Sequence, residues 1–297
     1  MKRSKSLPFF LSLVLWLIGS HSYSQSSKVL HLCETLPLLS STQFERFLKA
    51  QTEQVQKNEE KEEKKKIKLT MLSDIEREIK LPANRESGFQ FSARQNLFHV
   101  IIRDVFEGGA LKALQVYLES TLQKSKESLF YLSGAGKEEG ISDLKSVPGG
   151  YELTVDRVYQ SEMAYNTKNK IQVKFYELSP SVVAVVNQHL VDYGNELKSK
   201  KEKKEGKPYG PILYDLTIDV YKKLDEKSFQ FISHNVYEGQ TQQTRFKSLN
   251  VVKGIGNILS LGSLDKGLSK LVEKNARTIW ATRKEHFQKL ILRYRES

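Results

Sequence analysis

A chain of 297 residues with 39% hydrophobic content has enough apolar material for one large domain or two small ones, which excludes a disordered protein. The formal net charge of +12 favours anionic partners, and the lone cysteine, Cys33, excludes an intramolecular disulfide, so the fold must stand on its core. His31, His99, His189, His234 and His286 are scattered, with no H-E-x-x-H spacing and no cysteine pair, so neither a metal nor a cofactor is expected.

At the amino terminus Lys2, Arg3 and Lys5 precede the apolar run Leu7 to Ile18, followed by Gly19 and the small residues Ser22 and Ser24. This is the pattern of an export signal over residues 1–24, with cleavage placed after Ser24. The run is 12 residues long, whereas a bilayer span takes about 20. A periplasmic, cell-surface or secreted protein is expected. Without the three leader cations the 47 lysines and arginines become 44, an excess of +9 over 35 acids. Leu30, His31 and Leu32 before Cys33 are not the small residues that precede a lipidated cysteine, so a free thiol is expected there.

Residues 25–84 read as a charged helical region or linker. Thr42-Gln43-Phe44-Glu45 matches a capping box, and Phe44, Phe47, Leu48, Gln51 and Val55 follow at helical spacing. The apolar stripe then gives way to KNEEKEEKKKIK, where Glu60/Lys64 and Glu62/Lys66 have the i, i+4 spacing of an exposed helix. A solvated arm is the expectation. Ser73-Asp74-Ile75-Glu76 repeats the capping box for a short helix that Pro82 ends.

From residue 85 to 297 the pattern is that of an α+β domain. GFQF reads as a short strand, and Ser92-Ala93-Arg94-Gln95 as the start of a helix through Leu97, Ile101 and Val105 up to Gly108-Gly109. A second helix follows through Leu111, Leu114, Leu118 and Leu122. Beyond about Ser128 the period changes to that of strands. Tyr151, Leu153 and Val155 alternate with polar residues, and the turn NTKNK leads into Ile171, Val173 and Phe175. Pro180 introduces a buried strand from Val182 to Val191. After the lysine-rich loop 198–211, Ile212, Tyr214, Leu216, Ile218 and Val220 alternate with Asp215, Thr217 and Asp219, which predicts one buried and one wet face. Phe229 to Tyr237 returns. Short connections favour an antiparallel meander. A long amphipathic helix closes the chain from about Leu264, capped by Ser263, with Leu264, Leu268, Leu271, Ile279, Phe287, Leu290 and Tyr294 on its apolar stripe.

This order of a strand, two helices, a meander and a closing helix resembles the START-like helix-grip superfamily. The resemblance covers residues 85–297 and rests on no residue motif. It implies a curved antiparallel sheet around the last helix, with a hydrophobic ligand held between them; the alternative is another α+β sandwich with no cavity. On this reading the protein is exported and non-enzymatic, and it binds a hydrophobic small molecule or lipid. Val252, Ile255, Ile258, Leu259 and Leu261, in the glycine-punctuated stretch before the last helix, and Ile279 on that helix are the candidate ligand residues. The competing reading is an interaction protein or adhesin that meets an anionic membrane surface or glycan through Lys198, Lys200, Lys201, Lys203, Lys204 and Lys207. Nucleic acid is disfavoured, because no recognition motif accompanies the charge.

Catalytic signatures are missing. Gly254-Ile255-Gly256 lacks the third glycine of a dinucleotide loop and does not sit in a βαβ unit. There is no G-x-S-x-G, and the S-x-x-K matches at 142–145 and 263–266 are those expected by chance in a chain rich in serine and lysine. Asp215 and Asp219 lie about 13 Å apart along one strand, too far for paired carboxylates, and are read as surface polarity. A hydrolase would need His189 or His234, which could meet across the sheet, brought against an acid and a nucleophile.

Overall fold

The computed structural model of the protein describes residues 38–58, 62–94, 97–110, 136–159, 167–192 and 212–239, together with helical positions between 270 and 292. The expected leader, Cys33, the helix through Leu122, the lysine-rich loop and the stretch 250–264 lie outside the described residues. The described elements are β1 (Leu39–Ser40), α1 (Ser41–Asn58), α2 (Glu62–Lys80), β2 (Gly88–Arg94), β3 (Leu97–Glu107), β4 (Gly136–Val147), β5 (Gly150–Tyr159), β6 (Thr167–Ser179), β7 (Val182–Asp192), β8 (Ile212–Lys223) and β9 (Ser228–Gly239).

They build one α+β unit around a nine-stranded sheet of order β2-β3-β9-β8-β7-β6-β5-β4. Strands β4 to β9 form the expected antiparallel meander, and the β2–β3 hairpin adds to β9 at the far edge. β1 pairs in parallel with β6, Leu39 opposite Tyr176, beyond the point where β5 begins at Gly150. That corner depends on two glycines. Gly149 has φ +71, and a side chain on Gly150 would meet the Val173 carbonyl oxygen at 1.8 Å, so only glycine fits.

Each face of the sheet has its own cover. The outer face carries α1 and α2, whose Phe44, Leu48, Val55, Met71, Leu72 and Ile75 bury themselves against Leu216, Ile218, Val220, Ile232 and Val236. The inner face carries the C-terminal helix, whose Trp280, Phe287 and Ile291 pack with Phe106, Tyr221, Phe229 and Phe231. Phe231 stacks on Trp280 with centroids 5.6 Å apart, and Phe106 meets Phe287 edge-on at 4.9 Å, the two favoured ring geometries. The helix sits close to the backbone: a Cβ on Gly108, which has φ +118, would lie 2.9 Å from Ile291.

Four expectations are corrected. Residues 97–107 form a strand, not a helix. Leu97, Ile101 and Val105 match helical spacing, but a strand with cover on both faces is apolar on both, which erases the two-residue period; the β-branched run Val100, Ile101, Ile102 was the better signal. Residues 62–80 form one helix that runs through Ser73, so the second capping box starts nothing, while the stop before Pro82 holds. That helix is no solvated arm. Glu62 and Lys66 do pair at 3.2 Å, but Lys68 is buried with Met71, Leu72 and Ile75. The cap of α1 is Ser40, two residues before the expected one: Ser40 Oγ accepts from the Gln43 amide at 3.3 Å and Gln43 Oε1 accepts from the Ser40 amide at 2.8 Å, a reciprocal capping box.

Candidate functional site

Among the described residues, buried polar side chains gather in two sets, one on each face. On the outer face, Glu78 of α2 accepts a hydrogen bond from Arg103 of β3 and lies 2.8 Å from Nε2 of His234, whose Nδ1 is 3.2 Å from Nε2 of His99. The chain is consistent with one proton arrangement, in which His99 donates to His234 and His234 to Glu78. Burial pushes the Glu78 carboxyl up, but the bonds from His234 and Arg103 outweigh it and hold its pKa at about 2. Burial, with His234 beside it, depresses His99 to about 4. Glu238 accepts from Lys64 at 2.7 Å and lies 2.5 Å from Lys68, and Lys222 donates to the carbonyls of Glu78 and Leu81 that end α2. His234 is fully buried and its acid is already engaged, so no substrate reaches this constellation. It fastens α2 to the sheet.

The inner face is different. At one end lie the rings packed under Trp280 and Phe287. Towards the other end, β7, β8 and β9 all present polar side chains in register: Ser233 opposite Asp219, Asn235 opposite Thr217 and Tyr237 opposite Asp215, with Asn187 next to Thr217 and His189 following it on β7. Asn235 Nδ2 donates to Thr217 Oγ1 at 2.7 Å and to Asp215 Oδ1 at 3.3 Å, which ties two of the strands together through their side chains. Asp219 and Ser233 are buried, and Thr217, Asp215, Asn187 and His189 are half-buried. Beside this field Phe91, Phe98 and Tyr237 form a ladder across β2, β3 and β9 with centroids 6.2 Å apart at each step. The ladder is half-buried too. A polar field flanked by rings is the surface that an amphipathic molecule needs.

Several expectations change here. Asp219 is 4% exposed, so this face of β8 is not wet, and Asp215 and Asp219 are not surface polarity. His189 and His234 do not meet across the sheet, because His189 shares the inner face with Ile171 and His234 lies on the outer face beside Ile218. The two histidines therefore form no pair, and the acid beside His234, Glu78, is held by Arg103 as well. On the closing helix the described stripe is Trp280, Lys284, Phe287 and Ile291; only Phe287 of these was in the expected set, and Lys284 reaches Asp104 of β3 at 2.7 Å. Val252, Ile255, Ile258, Leu259, Leu261 and Ile279 lie outside the described residues, as do Lys198, Lys200, Lys201, Lys203, Lys204 and Lys207. The field on β7 to β9 was missed because alternation in one strand looks the same whether the polar side faces water or a lined interior. Three strands with polar residues at alternate positions, aligned in register, were the usable signal.

Among the described residues no group of three or more metal-ligating side chains comes together, and no described helix is long and apolar enough to cross a membrane. No family model matches the chain and no curated protein matches it. Among solved structures it is similar to human STARD10 (TM-score 0.42, 11% identity, 75% of this chain and 79% of that one). It is also similar to a STAR-related lipid transfer protein fragment from Xanthomonas axonopodis (0.34, 7%, 51% and 82%) and to norcoclaurine synthase from Thalictrum flavum (0.33, 17%, 71% and 99%). The chain's own antiparallel sheet, with the closing helix seated on its inner face, is the α+β arrangement expected from the sequence.

Proposed function

We propose that the protein is an exported, non-enzymatic binder of an amphipathic, lipid-like ligand, held on the inner face between the sheet and the chain that covers it. One observation carries the reading: the inner face is divided into an aromatic part and a polar part, side by side. A face meant only for packing gains most from apolar side chains throughout, because each buried polar group must find a partner or lose about 1 to 3 kcal/mol. A ligand with an apolar tail and a polar end would use both parts. The leader read from residues 1–24 puts such a binder in the periplasm, on the cell surface or outside the cell, and no cofactor is needed.

The test is extraction of the purified protein with organic solvent followed by mass spectrometry, then rebinding of the extracted compound. An amphiphile recovered at about one per chain, and excluded by Ser233→Trp on the inner face but not by Lys66→Ala on exposed α2, is the expected result. Protein that carries nothing and takes up no amphiphile ends the proposal.

A further inference from the structure

Down the inner face of β6 the side chains run Phe175, Val173, Ile171 and then Asn169. The first three belong to the inner cluster, and Ile171 has Leu153 of β5 on one side and His189 of β7 on the other. Asn169 breaks this apolar row, yet at 3% exposure it is as buried as the residues before it, and its Oδ1 has no hydrogen-bond partner. Such an oxygen is destabilising in itself, because folding removes its water without supplying a donor, and buried polar side chains are nearly always paired. An apolar side chain there would cost less, so packing gives no reason for the asparagine. The backbone beside it is irregular as well. Between Lys170 and Ile171 the register of β6 against β7 shifts, which leaves Leu190 of β7 unopposed and 40% exposed. The extra residue is on β7, so β6 keeps its alternation and Asn169 stays on the face of Ile171. Bulges of this kind bend a strand and are frequent next to functional sites.

We infer that Asn169 is a specificity-determining residue of the binding face, whose Oδ1 accepts a hydrogen bond from a hydroxyl or amide N–H of the bound amphiphile. This role rests on the function proposed above and names the group by which the face tells one amphiphile from another. A hydroxyl placed against Oδ1 satisfies both oxygens at once. An ether or ester carries acceptors only, so it would set oxygen against oxygen and bury a second group without a donor. The polar residues of β8 and β9 are not part of this contact: Asn235 bonds to Thr217 and Asp215, and β8 is two strands away from β6.

Decanol and methyl nonyl ether are isomers that differ in whether the oxygen carries a hydrogen, and their uptake by the full chain can be read by headspace gas chromatography. The wild type should bind the alcohol at least about tenfold more tightly, a difference of about 1.4 kcal/mol. The ether is the more apolar of the two, so nonspecific partitioning runs the other way. Asn169→Leu should bring the ratio to within about twofold of unity, while Lys66→Ala on exposed α2 should leave it at the wild-type value, with far-UV circular dichroism as the control for folding. Asn169→Ala removes the same oxygen and reads the same ratio should the leucine variant not fold; failure of both to fold would mark Asn169 as structural and overturn the inference. Equal uptake of the two isomers would mean that no ligand donor meets the oxygen. Tighter binding of the ether would mean that the amide is turned to present its Nδ2, and a ratio unaltered in a folded variant that the donor is received elsewhere. Each of these three results overturns the inference and leaves amphiphile binding intact. Uptake of neither isomer overturns the inference alone where an extracted amphiphile rebinds, and removes the proposed function where none does.

Discussion

The two faces of the sheet bury polar groups in opposite ways. On the outer face every charge named in the constellation has a partner: Glu78 has Arg103 and His234, Glu238 has Lys64 and Lys68, and Lys222 has the carbonyls that end α2. On the inner face Asn235 ties Thr217 to Asp215, while Asn169 Oδ1 has no hydrogen-bond partner. A closed network fixes one arrangement of helices on a sheet. The buried pair His99 and His234 belongs to that closed network and is structural, while the bland Thr, Asn and Ser positions of β8 and β9 belong to the proposed site.

The contrast can be broken from either side. The largest effect should come from Phe106→Ala, which removes a ring that touches Phe229, Phe231, Trp280 and Phe287 on the inner face; a loss of about 3 to 5 kcal/mol in denaturant unfolding is expected, and a loss below about 1 would mean that the closing helix is not held there. Glu78→Gln on the outer face strands Arg103 in a site where its side chain is 12% exposed, and should cost about 3 kcal/mol. The same network sets an acid limit. His99 is depressed from 6.5 to about 4 in the folded chain, so between those values the unfolded chain binds a proton that the folded one does not, and stability present above pH 6.5 is lost as the pH falls to 4. The loss is on the order of 2 to 3 kcal/mol, and Glu78, depressed from 4.5 to about 2, adds its own loss below pH 4.5. His99→Gln should flatten the unfolding curve between pH 4 and 6.5; a slope unchanged from the wild type would show that the proton goes elsewhere. The smallest effect has the opposite sign. Asn169→Leu removes an unpartnered buried oxygen, so it should leave stability unchanged or raise it by up to about 1 kcal/mol while weakening amphiphile uptake, and a clear destabilisation would mean the residue is structural.

How much of this could be read from the residues follows the same division. The strands β5 to β9, the stop of α2 before Pro82 and a closing helix bearing Phe287 were all legible, because each shows a clean period or a strong breaker. β3 was not, since a strand covered on both sides has no polar phase to betray it. Nor was the inward turn of Lys64 and Lys68, because a lysine paired with Glu238, 174 positions from Lys64, looks the same in sequence as one facing water. The inner polar field needed register, a long-range quantity that local alternation does not contain: Asn187, Thr217 and Asn235 are far apart in the chain and adjacent across the sheet.

The corner at Gly149 and Gly150 has a consequence on a longer timescale. Drift can exchange Leu for Ile throughout both clusters and swap surface lysines freely, but a methyl group at residue 150 collides with the Val173 carbonyl, and one at 149 lands within 2.2 Å of Leu39. Any chain descended from the same ancestor that keeps this β4–β5 turn and the parallel docking of β1 therefore keeps both glycines, together with a strand residue that offers its carbonyl in the place of Val173. Wherever this turn recurs, that pair is the fixed point from which the remaining strands can be counted.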